Sequence, residues 1–252
     1  MPLDYVFPQQ VGTAYIVPTM ANTKGRFGAH FKTKVVLSNP TAHNYDVQMI
    51  LCGPSGMVDR QFVNVTANSY TEWDNFLEEV FQYTGNGGVL FSAIDPSGNT
   101  DGDRYRFYIS AVVYNDSPQG RYFTLVSDGH RLQYIPLRQQ AYLIYHDGIT
   151  SNDQQRVNIG AFNHGRQPLT IYASVRGEND TAIETNVLEV PARGWAQKPI
   201  KAKFERGRIV WWSYDEPAIA GTGLYIQLWA VIVNNQSNDG VLLKPHFVIR
   251  NR

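Results

Sequence analysis

Apolar and polar residues alternate along much of this chain, in short runs that turn residues separate. In the clearest run, 104–114, every second residue is apolar and falls on one side of an extended strand: Tyr105, Phe107, Ile109, Ala111 and Val113. Further strands are predicted at 13–18, 32–38, 45–51, 58–65 and 88–94, with turns at 39–40, 53–56, 85–88 and 95–103. Strands of this length and spacing are typical of an antiparallel sandwich or barrel.

One segment, 69–83, departs from this alternation. Four of its apolar residues stand at the i, i+3, i+4 and i+7 positions that share one side of a helix. They are Trp73, Phe76, Leu77 and Val80. Ser69 or Thr71 is a suitable N-terminal cap. The segment therefore predicts one short helix that crosses between sheets.

The second half of the chain repeats the pattern of the first. When Asn39 is placed over Asn163, residues 33–51 align with 157–175, and 89–91 and 111–116 fall over 209–211 and 230–235. We interpret this as duplication of a unit of about 120 residues, an ordinary domain size. The prediction is an all-β protein of two tandem antiparallel β-sandwich domains, immunoglobulin-like or jelly-roll-like, at 1–130 and 131–252. One large sandwich with similar strands is the alternative.

Composition supports the sheet and narrows the function. Valine and isoleucine together number 39 against 15 leucines, a balance that favours strands over helices. The formal net charge is zero, which argues against a non-specific nucleic-acid binder, and no apolar run is long enough to span a membrane. The single cysteine, Cys52, rules out an internal disulfide framework. Because Cys52 closes an apolar strand, we expect a buried structural thiol.

The strand 31–40 reads FKTKVVLSNP, an aromatic residue, a basic residue and Thr, then alternating hydrophobic residues before Asn-Pro. With the strands, glycine turn and short helix that follow, it resembles a family of tandem β-sandwich repeats in secreted or surface proteins of bacteria. The closing strands run into Asn115-Asp116 and Asn234-Asn235, as in those repeats, although the second unit has Asn163-His164 in place of Asn-Pro. The resemblance implies a non-catalytic role outside the cell or at its surface. Residues 1–20 show no signal-peptide pattern.

Residues that could carry out catalysis are sparse. The six histidines have no metal-ligand spacing, and we expect them to be solvent-facing or in turns. The best ion site is the loop 95–103, where carboxylate and amide oxygens suit calcium. Its candidate ligands are Asp95, Asn99, Asp101 and Asp103. An ordinary hairpin loop uses the same residue types. Apart from calcium, no cofactor is predicted.

Four of the five tryptophans lie in the second half, and Trp211, Trp212 and Tyr214 cluster near the end of one predicted strand. Adjacent strand residues point to opposite faces, so one of the two tryptophans can lie outside. An exposed tryptophan beside a tyrosine is a platform for a sugar ring or a partner protein. Core packing is the alternative.

Three functions follow as hypotheses. The first is a non-catalytic structural protein, a self-associating subunit of a cell-surface or particle assembly, held together by segments 1–14 and 241–252. The second is a carbohydrate- or protein-binding module acting through Trp211, Trp212 and Tyr214. The third is a metal-dependent enzyme with a site between the sandwiches.

Overall fold

The computed structural model describes residues 14–25, 28–94, 105–117, 120–127, 130–131, 142–215, 226–238, 240–243 and 245–249. Within them the chain is all-β with one short helix, and its strands form two antiparallel sandwich units, as the alternation predicts. No helix in these ranges is long and apolar enough to cross a membrane.

Each unit contributes nine strands to this part of the chain. The first unit comprises β1 (Ala14–Lys24), β2 (His30–Asn39), β3 (Tyr45–Gly53), β4 (Gly56–Val65), β5 (Ser69–Trp73), α1 (Phe76–Phe81), β6 (Gly85–Ile94), β7 (Tyr108–Ser117), β8 (Gly120–Ser127) and β9 (His130–Arg131). The second comprises β10 (Tyr142–Ser151), β11 (Gln155–Asn163), β12 (Leu169–Arg176), β13 (Ala182–Val190), β14 (Gly194–Pro199), β15 (Phe204–Trp212), β16 (Ile226–Asn234), β17 (Gly240–Leu243) and β18 (His246–Ile249).

The two units have the same strand order. In the first, one layer runs β4-β3-β6-β1-β9 and the other runs β5-β2-β7-β8, with the end of β1 pairing with β2 so that the layers are continuous. In the second, the five-stranded sheet runs β13-β12-β15-β10-β18 and the four-stranded sheet runs β14-β11-β16-β17. We call these the five-strand and four-strand layers of each unit.

Pairing register also corresponds between the units. Residues that align when Asn39 is placed over Asn163 occupy the same points of the two ladders. The matched pairs are Met49–Phe91 with Ala173–Trp211, and Val35–Ala111 with Ile159–Ala230. The domain boundary expected after residue 130 falls within β9, which pairs with β1 of the first unit.

The hydrogen bonds of the Asn39 side chain explain why the first unit has an asparagine at the end of β2. Its side chain is buried, and its Nδ2 donates to the carbonyl oxygens of His43 (2.8 Å), Thr66 (3.0 Å) and Val65 (3.3 Å). Its Oδ1 accepts from the backbone N–H of Thr41 at 2.9 Å. One amide therefore ties the β2–β3 turn to the β4–β5 turn.

Asn163 makes the same contacts in the second unit. Its Nδ2 donates to the carbonyl oxygens of Gln167 (2.7 Å), Pro191 (2.9 Å) and Val190 (3.5 Å), and its Oδ1 accepts from Gly165 N at 2.8 Å. Like Asn39, it is buried. The shared asparagine is thus a structural fastener between two turns, repeated once per unit.

Each sandwich has its own apolar core, and a third apolar cluster joins the units. Side chains of the five-strand layer of the first unit that point away from its core meet outward-pointing side chains of the four-strand layer of the second. The cluster consists of Ile16, Ile50, Cys52 and Leu90 on one side and Phe162, Trp195 and Trp229 on the other. The units therefore join through two different layers.

The segment 69–83 differs from its predicted helix. Only Phe76–Phe81 is helical, and 69–73 forms β5, which pairs with β2. Ser69 caps no helix, because its Oγ donates to the Thr66 carbonyl at 2.7 Å. The Trp73 ring at the end of β5 packs edge-on against Phe76 at 5.3 Å, so a strand followed by a short helix produces the helical spacing of apolar residues.

The glycine-rich stretch 85–88 is the start of β6 rather than a turn. Its glycines make room for neighbouring groups. A Cβ on Gly87 would lie 2.7 Å from the Cys52 carbonyl oxygen, and one on Gly88 would lie 2.3 Å from Cδ2 of Phe162. Gly88 therefore lets the Phe162 ring approach the first unit.

Candidate binding faces

Trp211 and Trp212 point to opposite sides of β15, as strand geometry requires. Trp211 is 3% exposed and lies in the core of the second unit. Its Nε1 donates to Nδ1 of His146 at 2.9 Å, and Nε2 of His146 lies 3.1 Å from the Leu243 carbonyl oxygen. Trp211 is therefore not available to a ligand. Trp212 lies on the outer side of the sheet.

The outer side of the β12–β15 pair carries an aromatic cluster. Trp212 stands directly opposite Tyr172 in the ladder, and the two rings stack with centroids 5.4 Å apart and planes 11° apart. Tyr214, which is 78% exposed, meets the edge of Tyr172 at 5.4 Å. These three rings lie in contact and present aromatic surface with hydroxyl groups on it, which is the kind of surface on which flat ligands or partner side chains pack.

Polar contacts hold the chain after β15 against β12. Ser213 Oγ donates to the Thr170 carbonyl at 2.7 Å, and Asp215 N donates to Ser213 Oγ at 3.1 Å. Asp215 Oδ2 in turn accepts from Thr170 N. These bonds fix the backbone on both sides of Tyr214, so its exposed ring is held in place.

The same outer surface continues onto β10. Tyr145 pairs with Val210 in the ladder, and the Arg208 guanidinium lies 5.2 Å from the centre of the Tyr145 ring. Arg208 Nε also donates to Asp147 Oδ1 at 2.9 Å. We call this outer surface of the second unit's five-strand layer, defined by Tyr145, Tyr172, Val210, Trp212 and Tyr214, the second-unit face.

A second exposed surface lies on the four-strand layer of the first unit. Tyr70 on β5 and Tyr108 on β7 both stand opposite Ser38 of β2, so their Cα atoms are about 10 Å apart. They are 69% and 60% exposed. Val36 lies two residues before Ser38 and on the same side of β2. We call the surface of Val36, Ser38, Tyr70 and Tyr108 the first-unit face.

Charged groups at the margin of the first-unit face are already paired. Lys34 Nζ contacts Glu72 and lies 3.3 Å from Asp74 Oδ1. The pKa of Lys34 is raised, chiefly by the hydrogen bond that its ammonium group donates to Glu72. All three side chains are well exposed, so this ion pair adds little stability. It gives the face a polar rim.

Two histidines expected at the surface are buried instead. Burial lowers the pKa of His146 to about 4 and that of His164 to about 3, with the nearby Arg193 charge adding to the second shift. Because an indole N–H only donates, His146 Nδ1 must accept from Trp211 and its Nε2 must carry the proton. A histidine held neutral in this way is a structural group.

Cys52 is buried in the contact between the units, as the sequence predicts for a structural thiol. Burial raises its pKa to about 12. At neutral pH it is therefore a thiol rather than the reactive thiolate.

Other predicted sites lie largely outside the described residues. These include the calcium loop with Asp95, Asn99, Asp101 and Asp103, and residues 1–13 of the N-terminal segment. Of the C-terminal segment, β17 and β18 pair with β16 and β10 of their own unit. In the part of the chain that is described, no three His, Cys, Asp or Glu side chains come together as a metal site would require.

Sequence reasoning missed Tyr172 and Tyr145. The signal for Tyr172 was present, because it alternates with Ile171 and Ala173, which align with core positions of the first unit. Tyr145 is not identified from the sequence, since the alternation predicts no strand over 142–151.

No protein-family model matches the chain, and no curated protein matches it either. Among solved structures, a β-glucuronidase of Bacteroides uniformis is 12% identical, and the aligned region covers 92% of this chain and 26% of that one, with a TM-score of 0.17. A complex of B. uniformis β-glucuronidase 2 with a covalently bound cyclophellitol-6-carboxylate aziridine is 13% identical, with the same coverage and TM-score. This chain thus spans about a quarter of the length of those proteins, and likenesses at such scores carry no argument about its function.

Proposed function

We propose that this protein is a non-catalytic structural subunit that associates with copies of itself, in an assembly at a cell surface or in a particle. The observation that carries the proposal is the contact between its two units. The two units have the same topology, but the five-strand layer of the first contacts the four-strand layer of the second. The contact is therefore head-to-tail, and further units could be added to it in the same way. Contacts of that kind can repeat without limit or close into a ring.

The chemistry of the described residues is consistent with this role. The exposed faces carry tyrosine, tryptophan and valine with paired charges at the margin, which is the composition of association surfaces. The histidines with lowered pKa and the cysteine serve as packing groups.

The mass of the chain in solution tests the proposal. Light scattering over about a hundred-fold range of concentration should show a mass that rises above the 28.5 kDa of one chain as concentration increases. A mass of one chain at every concentration would overturn self-association.

The aromatic cluster supports a second candidate function, recognition of a carbohydrate. Tyr214 offers an exposed ring beside the stacked Tyr172–Trp212 pair, and sugar rings pack on such platforms. Screening against a glycan array, followed by titration calorimetry on any glycan that binds, tests it. Trp212→Ala and Tyr214→Ala should abolish binding, whereas Tyr70→Ala, an exposed tyrosine of the other unit, should leave it unchanged. Equal binding by all three variants would exclude this face.

A further inference from the structure

The apolar cluster of the internal contact uses one outer face of each unit, and β17 of the second unit also lies beside β8, the edge strand of the first unit's four-strand layer. The cluster covers the five-strand layer of the first unit and the four-strand layer of the second. Each unit has both layers, and within the described ranges no apolar cluster covers the outer side of the first unit's four-strand layer or of the second unit's five-strand layer. These outer sides are the first-unit face and the second-unit face. The first belongs to a four-strand layer and the second to a five-strand layer.

The first-unit face keeps an aromatic side chain at one of the three positions that the second unit uses in the internal contact. The counterparts of Phe162 and Trp229 are Ser38 and Ser110. Trp195 stands opposite Phe162 in the second unit, and Tyr70 stands opposite Ser38 at the corresponding point of the first. In the internal contact Trp195 packs against the neighbouring unit, whereas Tyr70 is 69% exposed. Tyr70 is therefore an aromatic side chain in an association position that this chain leaves uncovered.

The second-unit face has apolar counterparts at two of the four covered positions of the first unit, whereas Ile50 and Cys52 correspond to Ser174 and Arg176. In the first unit Leu90 pairs with Ile16, and Val210 pairs with Tyr145 at the corresponding point of the second unit. Ile16 and Leu90 are buried by the internal contact, whereas Val210 and Tyr145 are half-buried. Tyr172 and Trp212 extend this apolar surface.

We propose that the second-unit face of one copy docks on the first-unit face of the next copy, repeating between chains the layer-to-layer contact that joins the units within a chain. This rests on the proposed self-association and names its two surfaces and its polarity. The contact is heterologous, so the product is an open filament or a closed ring rather than a two-fold dimer. The partner is a second copy of this chain.

Two face variants and one control test the pairing. The first-unit variant carries Tyr70→Glu and Tyr108→Glu, and the second-unit variant carries Trp212→Glu and Tyr214→Glu. The control carries Met57→Glu and Phe62→Glu on β4, two exposed apolar residues that belong to neither open face. Circular dichroism melting confirms that each variant is folded. Should either be unfolded, Tyr70→Ser and Tyr214→Ser are the milder replacements.

Each face variant alone should associate about 100-fold more weakly than the unchanged chain, since central aromatic side chains dominate such contacts. The control should associate normally. An equimolar mixture of the two face variants should form a discrete two-chain complex of about 57 kDa, twice the mass of one chain, because each variant keeps the face that the other lacks.

Three other results would overturn the inference, and they are distinguishable. If the unchanged chain stays at 28.5 kDa at every concentration, the proposed self-association fails and the pairing fails with it. If the unchanged chain associates and neither face variant weakens it, self-association stands and these faces are wrong. If both variants are weakened but their mixture forms no two-chain complex, the two faces do not dock on each other and the head-to-tail pairing is wrong.

Discussion

The two units are alike on their inner sides and differ on their outer sides. Inside, aligned positions are apolar in both, as at Met49 and Ala173, and the fastening asparagine recurs. Outside, Ile50 of the first unit meets the neighbouring unit, whereas its counterpart Ser174 lies beside the open Tyr172–Trp212 pair. The comparison teaches that the inner pattern specifies strand order, while the outer pattern determines what each unit contacts.

A second difference lies between the fifth and sixth strands of each unit. The first unit inserts α1 there, which buries Phe76 and Leu77 in the core. The second unit crosses with 200–203, where Ile200 is buried and its N–H donates to the Val157 carbonyl at 2.9 Å. One buried isoleucine thus stands where the first unit uses a helix.

The largest expected difference between the two units is in their loss of stability at acid pH. His146 and His164 both lie in the second unit with pKa values of about 4 and 3, against an ordinary value of 6.5. Their neutral forms support the fold fully above pH 6.5, and this support is lost as the pH falls toward the folded pKa values. Each histidine then costs about 1.4 kcal/mol per pH unit, and the two together cost about 4 kcal/mol between pH 7 and pH 5.

Hydrogen exchange read by mass spectrometry at pH 7 and pH 5, corrected for the intrinsic effect of pH, resolves the units. The second unit should lose protection first. His146→Gln, which is neutral at every pH, should give about half the change in unfolding free energy, and the exposed His43→Gln should not alter it. Earlier loss of the first unit would contradict this account.

Removing the fastening asparagine should affect both units equally. Asn39→Ala and Asn163→Ala each leave buried carbonyl oxygens without their donor, so each should cost about 3 kcal/mol of unfolding free energy. Urea denaturation measures this cost. Asn64→Ala, which removes only an exposed bond to Asp46, should cost less than about 0.5 kcal/mol. Unequal costs at Asn39 and Asn163 would show that the two fasteners are not equivalent.

Filling the gap at Gly88 should loosen the joint between the units. In Gly88→Ala the new Cβ meets the Phe162 ring, so we expect a loss of about 2 kcal/mol and denaturation that splits into two steps. Gly177→Ala is the control, because its Cβ meets only the flexible end of Ile183, at 3.3 Å. A single transition with unchanged stability for Gly88→Ala would mean that Phe162 is not needed for the joint.

The smallest expected effect is the difference in unfolding free energy between substitutions at two buried tryptophans. Trp211→Phe leaves Nδ1 of His146 without its donor, whereas the Nε1 of Trp229 has no acceptor among the described residues. Trp211→Phe should therefore cost about 1 kcal/mol more than Trp229→Phe in thermal unfolding. Equal costs would indicate that the bond to His146 contributes nothing net.

Period-two alternation was sufficient to predict the strands over 32–38, 45–51 and 58–65, because one side of each carries core residues. It failed where a strand is followed directly by a short helix. Trp73 ends the strand β5, but its spacing from the apolar residues of α1 is that of a first helical position. Alternation also failed at 85–88, since glycines that admit a neighbouring ring look like glycines of a turn. That ring belongs to Phe162, more than seventy positions away, and local patterns contain no information about such contacts.

The candidate faces were only partly predictable for the same reason. Alternation requires Trp211 and Trp212 to point apart, but which of them is buried depends on the partner strands β10 and β12. The sequence favours a turn position for His146 because its donor partner comes from β15 and its acceptor partner from β17, both far along the chain. Burial of a polar side chain can be recognised only once its hydrogen-bond partners are known.

The position of Cys52 gives the molecule a built-in reporter. It is the chain's single cysteine, it lies in the joint between the units, and its raised pKa keeps it protonated there. A thiol-specific reagent can therefore modify Cys52 only after the two units separate at this contact. The labelling rate thus measures how often they separate, and no engineered label is needed. Measured at rising protein concentration, the labelling rate of Cys52 would also show whether association between copies makes the two units within each chain separate less often.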